Sequence, residues 1–327
     1  MITKRLPWQE AQWSRVERMR ASGRLPHALM LRGVEGLGKR AFADRLAATL
    51  LCEGDDPPCE QCRGCRLFGS GAHPDFLRVQ PEEEQRGILI HQIRGFIDHL
   101  ALTTTYGGYK VVILEPAEAM NRSAVNTLLK TLEEPPGAVV VILVSHRSGA
   151  LPATIRSRCQ MLEFPVPGSG QVRPWLEAQL KGTLPADVLL RLAGGMPFRA
   201  LAMAEAESIK LSETLVQDLA NLAGDRADPI AVAALWRKHG AADVGAWLSS
   251  LTSDLIRLKS DTECATLTHT ELRETMQLVA RQLDLRSLFG LLDRVFELRW
   301  LFLKQTNVNE QLLLEDLAVR WASAGQR

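Results

Sequence analysis

The sequence has no long apolar run. Its longest uninterrupted stretch is "AVVVILV", residues 138–144, far short of the ~20 residues a helix needs to cross a bilayer. The opening "MITKRLPWQEAQW" has no apolar core of the kind that marks a secretory leader. Both absences lead us to expect a cytoplasmic protein with no membrane association. Charge imbalance is missing too: 39 basic and 38 acidic residues leave a formal net charge of +1. No bulk field therefore announces a nucleic-acid binder, although "RSGALPATIRSR" remains a candidate basic face. Internal repeats and low-complexity tracts are also absent. With 46% hydrophobic and 24% charged residues, the composition is that of an ordinary globular chain. Its 327 residues suffice for two or three domains.

What is present divides the chain by periodicity. Residues 9–22 place Trp13, Val16 and Met19 on one helical face. "HALMLRG" reads as a short buried strand, then a glycine loop, then a helix from "RAFADRLAATLL" with Phe42, Leu46 and Leu50 in phase. "DFLRVQP", "YKVVIL" and "AVVVILVS" read as further strands. Helices from "IRGFIDHLAL" (Ile93, Ile97, Leu100) and "AVNTLLKTLEE" (Val125, Leu128, Leu129, Leu132) alternate with them. Strands that are apolar throughout and alternate with helices predict a parallel sheet covered on both faces. The prolines and glycines of "FPVPGSGQ", 164–171, mark a linker. Beyond it there are no strand-like runs. Three short helices over 172 to about 207 are expected, then only longer helices.

Four of the six cysteines lie in "CEGDDPPCEQCRGC": Cys52, Cys59, Cys62 and Cys65. In a cytoplasmic chain, clustered thiols are metal ligands rather than disulfides. Two of the spacings are C-x2-C, a turn that aims two thiolates at one ion, and four sulfurs close a tetrahedral zinc site with no open position. The expected zinc is structural, because no place is left for a reactive water. A redox C-x-x-C would need two cysteines beside a thioredoxin-like unit, not four behind a phosphate-loop helix. Cys159 and Cys264 stand alone and read as small buried residues.

"RGVEGLGKR", 32–40, fits the phosphate-loop pattern GxxxxGK[ST] at Gly33, Gly38 and Lys39. The pattern then requires a hydroxyl to ligate Mg²⁺. Arg40 stands there, and a guanidinium has only donors. An NTPase of this class also needs an acidic pair after an apolar strand. Here "VVIL" runs into Glu115 and Pro116, and proline is neither acid nor base. Positioning and charge stabilisation supply nearly all phosphoryl-transfer catalysis, so hydrolysis in cis is not expected. Glu115 by itself is the kind of carboxylate that solvates a strand end. Arg156 and Arg158, in "LPATIRSRCQ", are expected in a loop after the last strand, where arginines are usually just solvated but function also concentrates.

These segments, with "HPDF", "GGYKVVILEPAEAMNRSAVNTLLKTLEEPP" and "GGMPFRAL", together resemble the delta-prime family of bacterial DNA polymerase III clamp-loader subunits. The resemblance is strong over residues 1 to about 205 and weaker beyond, where "NVNEQLLLEDL" is similar to the family's last helix. It implies an α/β AAA+ module (a RecA-like parallel sheet) over 1–165, with a zinc module inserted at about 52–65. A three-helix lid over 166–207 and an all-α collar over 208–327 would follow. It implies a catalytically inactive subunit in a five-membered hetero-oligomeric ring with delta and three gamma/tau ATPases. The ring would load the sliding clamp onto primer-template DNA. The "SRC" triplet Ser157-Arg158-Cys159 would supply Arg158 in trans as an arginine finger to a neighbouring gamma/tau subunit. Arg199 matches a second-sensor position, and equally fits a plain helix arginine after Pro197. Since Lys39 is kept, ATP or ADP binding is expected to be weak or absent. An active gamma/tau-type motor would need the intact GK[ST] and an Asp-Glu pair, which Arg40 and Pro116 deny. A zinc-containing nucleic-acid-binding protein is the other alternative, but the cysteine segment carries more acid than base.

Overall fold

The computed structural model describes residues 4–82, 87–106, 108–180, 185–205, 208–303 and 309–325. Gly107, residues 181–184 and 206–207 of the expected lid, and the opening of "NVNEQLLLEDL" lie outside them. The chain divides into two compact units. The first is Met1–Lys181 with Ala193–Leu201, and the second is Gly182–Leu192 with Ala202–Arg327.

In the first unit the elements run α1 (Glu10–Ala21), β1 (Ala28–Arg32), α2 (Lys39–Leu50), α3 (Arg63–Gly69), β2 (Phe76–Val79), α4 (Ile90–Ala101), β3 (Lys110–Leu114), α5 (Arg122–Glu133), β4 (Val139–Ser145), α6 (Ala153–Arg156), β5 (Gln160–Glu163) and α7 (Ser169–Gln179). The five strands form one sheet in the order β2-β3-β4-β1-β5, and every pairing is parallel. This is the RecA-like AAA+ sheet that the resemblance implied.

Alternation along each strand builds two cores. Val112, Leu114, Val141 and Leu143 face one way, against Ile93, Phe96 and Leu100 of α4 and Val125, Leu128 and Leu132 of α5. Val111, Ile113, Val140 and Ile142 face the other way, against Trp13 and Val16 of α1 and Phe42 and Leu46 of α2. Each such side chain contributes about 1.5–3 kcal/mol by leaving water. Two-sided burial is why β1, β3 and β4 are apolar along nearly their whole length. It also puts the carboxyl ends of β1, β3 and β4 on one rim, where α/β folds place their ligands.

On α4, Ile97 packs partly buried beside Ile93 and Leu100 as its phase predicts, and Phe96 joins them fully buried. Three local expectations change. The segment after the arginine loop adds the edge strand β5, which no apolar run announces. Only Leu162 of its four residues is buried, and pairing with β1 rather than side-chain pattern makes it a strand. The arginine loop itself contains one helical turn, α6. The expected linker is also shorter, because α7 begins at Ser169.

Helices α8 (Ala186–Leu192) and α9 (Pro197–Glu205) follow. The unit division assigns α8 to the second unit and most of α9 to the first. The second unit is otherwise α10 (Ser208–Ala223), α11 (Pro229–Arg237), α12 (Ala241–Ser260), α13 (Arg273–Gln282), α14 (Leu285–Leu303) and α15 (Glu310–Gly325). Helix α12 packs on α13 and α14, and α11 packs on α15. Trp236 and Trp321 are fully buried among them. Asp254, also buried, accepts from the backbone N–H groups of Thr268 and His269 and pins the loop before α13 to α12. Among the described residues no helix is long and apolar enough to cross a membrane.

Candidate functional site

The phosphate loop closes the turn between β1 and α2. Gly38 caps α2 with φ +81°, and a Cβ there would meet Leu6 Cδ1 at 2.6 Å and Phe198 Cε2 at 2.7 Å. Only glycine fits on both counts. Trp8 Nε1 and Gln9 Nε2 donate to Leu37 O at 3.0 and 3.1 Å, so the segment before α1 covers the loop. Lys39 is 2% exposed. Its ammonium donates to Gly33 O at 2.7 Å and Val34 O at 2.6 Å. Two of its three donors are therefore spent on its own loop. Burial pulls the Lys39 pKa down to about 8 against the opposing pull of Glu118, Glu35 and Glu115.

The residue that replaces the metal-binding hydroxyl meets the carboxylate at the end of β3. Arg40 Nε lies 3.6 Å from Glu115 Oε2, and Arg78 Nη1 lies 3.5 Å from the same oxygen. Arg78 also pairs with Asp44 of α2. A chain Arg40–Glu115–Arg78–Asp44 thus ties α2 to the ends of β2 and β3. Burial pushes the Glu115 carboxyl up, and Arg40 and Arg78 oppose that. A cation stands where a magnesium ligand should, and the carboxylate that would hold the metal already faces two guanidinium groups. These residues do not fit a magnesium ion.

Sequence reading missed several residues at this rim. Glu118 Oε1 accepts from the N–H groups of His146 and Arg147 at 3.0 and 3.1 Å and caps the end of β4. Ser145, level with Arg32 in the sheet register, is fully buried. His146 is held below its usual pKa by burial and by Lys39. Charged Arg78 inside a strand was the one signal available. Arg199 is exposed, but its backbone packs on Gly36: a Cβ on that glycine would meet Arg199 N at 3.3 Å, and Phe198 N donates to Gly36 O at 3.0 Å.

The cysteines converge as their spacing predicts. The sulfurs of Cys52, Cys59, Cys62 and Cys65 all lie within 4.8 Å of one another. Cys52 and Cys62 are 3.9 Å apart. A tetrahedron of ~2.3 Å zinc–sulfur bonds has edges of about 3.8 Å. Backbone N–H groups point at the sulfurs: Gly54 N and Cys59 N at Cys52, Cys62 N at Cys59, and Cys65 N at Cys62, all at 3.3–3.4 Å. Such donors favour the thiolate, the form that binds metal. The N–H groups of Gln61 and Cys62 draw the Cys59 thiol down to about 6, while burial pushes Cys52 and Cys65 up. A Cβ on Gly64 would lie 2.4 Å from Leu51 O, so the turn tolerates no side chain. The donor set fits one structural zinc ion.

The structure separates the two loop arginines. Arg156 Nη1 donates to Leu151 O at 2.8 Å and reaches Ser148 O and Gly149 O at 3.4 Å, stapling its loop from inside. Arg158 is turned outward, pairing with Glu133 and donating to Thr154 O at 3.0 Å. Cys159 is buried, with its thiol pushed up to about 12. Cys264 is only half-buried, contrary to expectation, because it sits in the turn after α12.

The chain is similar to known proteins. The family described as DNA polymerase III, delta subunit, matches residues 8–167, and its C-terminal counterpart matches 206–323. DNA polymerase III subunit delta-prime of Pseudomonas aeruginosa is 34% identical over 324 residues, covering 97% of both chains. DNA polymerase III subunit tau of Escherichia coli is 32% identical over 157 residues, but this covers 47% of the present chain and 24% of tau. A gamma-subunit-related protein of Thermotoga maritima superposes with a TM-score of 0.48 at 18% identity, over 95% of this chain and 99% of its own.

Proposed function

From the fact that the chain belongs to the DNA polymerase III delta-prime family, we propose that it is a clamp-loader subunit without ATPase activity of its own. In this reading it lends Arg158 to a neighbouring gamma/tau ATPase. It assembles in the cytoplasm with gamma/tau and delta, and through them acts on the sliding clamp and primer-template DNA. The observation that carries the reading is the Arg40–Glu115 contact. The chain uses an internal ion pair where a working site would hold magnesium, and Pro116 stands where a base would be. Arg158, by contrast, is exposed and outward. Residues 166–207 then act as the lid and 208–327 as the collar, and Arg199 stands at a position that suits either a second sensor or a plain lid-helix arginine. Gly33, Gly38 and Lys39 form a phosphate loop that binds nucleotide weakly or not at all.

The test is reconstitution. The lone chain is expected to hydrolyse no ATP above background, and Arg40→Thr alone to restore none, because Pro116 still supplies no base. Mixed with gamma/tau, delta and clamp, the chain should be required for primer-stimulated ATPase. Robust turnover by the lone chain that disappears with Lys39→Ala would refute the reading.

The Cys52–Cys59–Cys62–Cys65 cluster is proposed to hold one structural zinc. Protein purified without chelator should carry about one equivalent by metal analysis. Removing the metal should loosen the insert and leave the sheet folded, since metal binding couples to the order of its own ligand loop. Zinc far below one equivalent, or thiols that all titrate freely in the folded protein, would exclude the site.

A further inference from the structure

Arg158 points outward, yet it has a definite partner. Its Nη2 lies 2.5 Å from Glu133 Oε1 while its Nη1 holds Thr154 O, so both ends of the guanidinium fork are engaged on the chain's own surface. Glu133 is the last residue of α5. A carboxylate there faces the negative end of the helix dipole and is unfavourable by itself. The Arg158 cation offsets both charges at that helix end. The pair is also open to water, with side chains 35% and 49% exposed, and ion pairs in that setting are weak and readily exchanged. The contact is therefore good enough to give the arginine a resting place and too weak to keep it there.

We propose that Glu133 is a positioning residue for Arg158: it parks the guanidinium on the end of α5 until a neighbouring subunit offers a phosphate. The proposal rests on Arg158 being the finger supplied in trans. A phosphoryl group carries more charge than a carboxylate and matches the same planar fork. It displaces Glu133 by simple exchange of one anion for another, with no proton or bond transferred. Parking then suppresses turnover only while the neighbouring site is not yet brought close. Once clamp and primed DNA have aligned the ring, the ion pair is already broken and Glu133 no longer matters.

The test uses the complete reconstituted complex and compares basal with primer-stimulated ATPase. Glu133→Gln keeps the side-chain shape and removes a charge that the helix end disfavours, so the fold should survive. Basal turnover should rise about 2- to 5-fold, since an exposed pair is worth up to ~1 kcal/mol and 1.4 kcal/mol is tenfold. The stimulated rate should stay at the wild-type value, and Glu133→Asp should hold the basal rate near wild type. Unchanged basal turnover in Glu133→Gln, in a complex that Arg158→Ala does inactivate, would overturn the parking role and leave the finger standing. A fall of both rates in Glu133→Gln would equally overturn it, because Glu133 would then assist the reaction. If Arg158→Ala changes neither rate, the finger itself fails and the parking role falls with it.

Discussion

A complex built with Arg158→Ala is expected to assemble normally and to lose ATP turnover at the one gamma/tau site that this chain is proposed to face. The expected loss is roughly 10³-fold or more at that site, the lower range for removing an arginine supplied to a phosphoryl-transfer centre. The fold should be nearly untouched. Arg158 is half-exposed, and its ion pair with Glu133 is at the surface, where losing one partner costs little. Arg156→Ala should behave in the opposite way, since that side chain braces three carbonyls of its own loop. Arg158→Lys should rescue poorly, because an ammonium cannot reproduce the planar fork. The measurement is ATPase of the complex with the other gamma/tau sites silenced by substitution of their phosphate-loop lysines. Size-exclusion chromatography alongside verifies assembly. Wild-type turnover at the remaining site of an intact complex would reduce Arg158 to a surface residue.

The largest effect on stability should come from Asp75→Ala. Asp75 is 1% exposed, and its Oδ1 lies 3.5 Å from Lys110 Nζ, itself buried. Its carboxylate also accepts from Thr105 N at 3.0 Å and Tyr106 N at 3.3 Å. One side chain thus joins the starts of β2 and β3 to the turn between α4 and β3. Removing it leaves the Lys110 cation buried without its counter-charge, which costs about 3–5 kcal/mol. In a unit of this size each kcal/mol lowers Tm by roughly 2–4 °C. Asp75→Ala combined with Lys110→Met should lose clearly less than Asp75→Ala alone.

The pH dependence has a definite sign. Burial by itself would raise the Asp75 carboxyl, but the Thr105 and Tyr106 N–H groups and Lys110 together hold it below its ordinary value. A depressed carboxyl adds stability that is complete above the unfolded pKa of ~3.9 and fades as pH falls through the lower folded value. The stability gap between wild type and Asp75→Asn should therefore be flat at neutral pH and shrink below about pH 4. Denaturant titrations from pH 3 to 8 would check it. A gap that does not narrow in acid would mean the folded carboxyl is not depressed.

Much of this protein is determined by short sequence distances. The buried strands are legible because two-sided burial demands apolar residues at consecutive positions, as in the six residues 139–144 of β4. The phosphate loop and the cysteine cluster are legible because backbone geometry brings residues a few positions apart onto one ion or one turn. Arg40 and Pro116 could be recognised as departures for the same reason. Tertiary structure decided whatever depends on strand order and register. Parallel pairing of β2 with β3 sets Phe76 level with Val111 and so brings Asp75 to Lys110. The same sheet brings Arg40 and Asp44 of α2, Arg78 of β2 and Glu115 after β3, three separate segments, into one ion-paired chain. The strand β5 exists only because β1 offers it a parallel edge. Of two arginines two residues apart, packing turned one inward onto carbonyls and the other outward onto Glu133. No local pattern encodes these choices, because each is made by a partner that is distant in sequence and adjacent only after the sheet has formed.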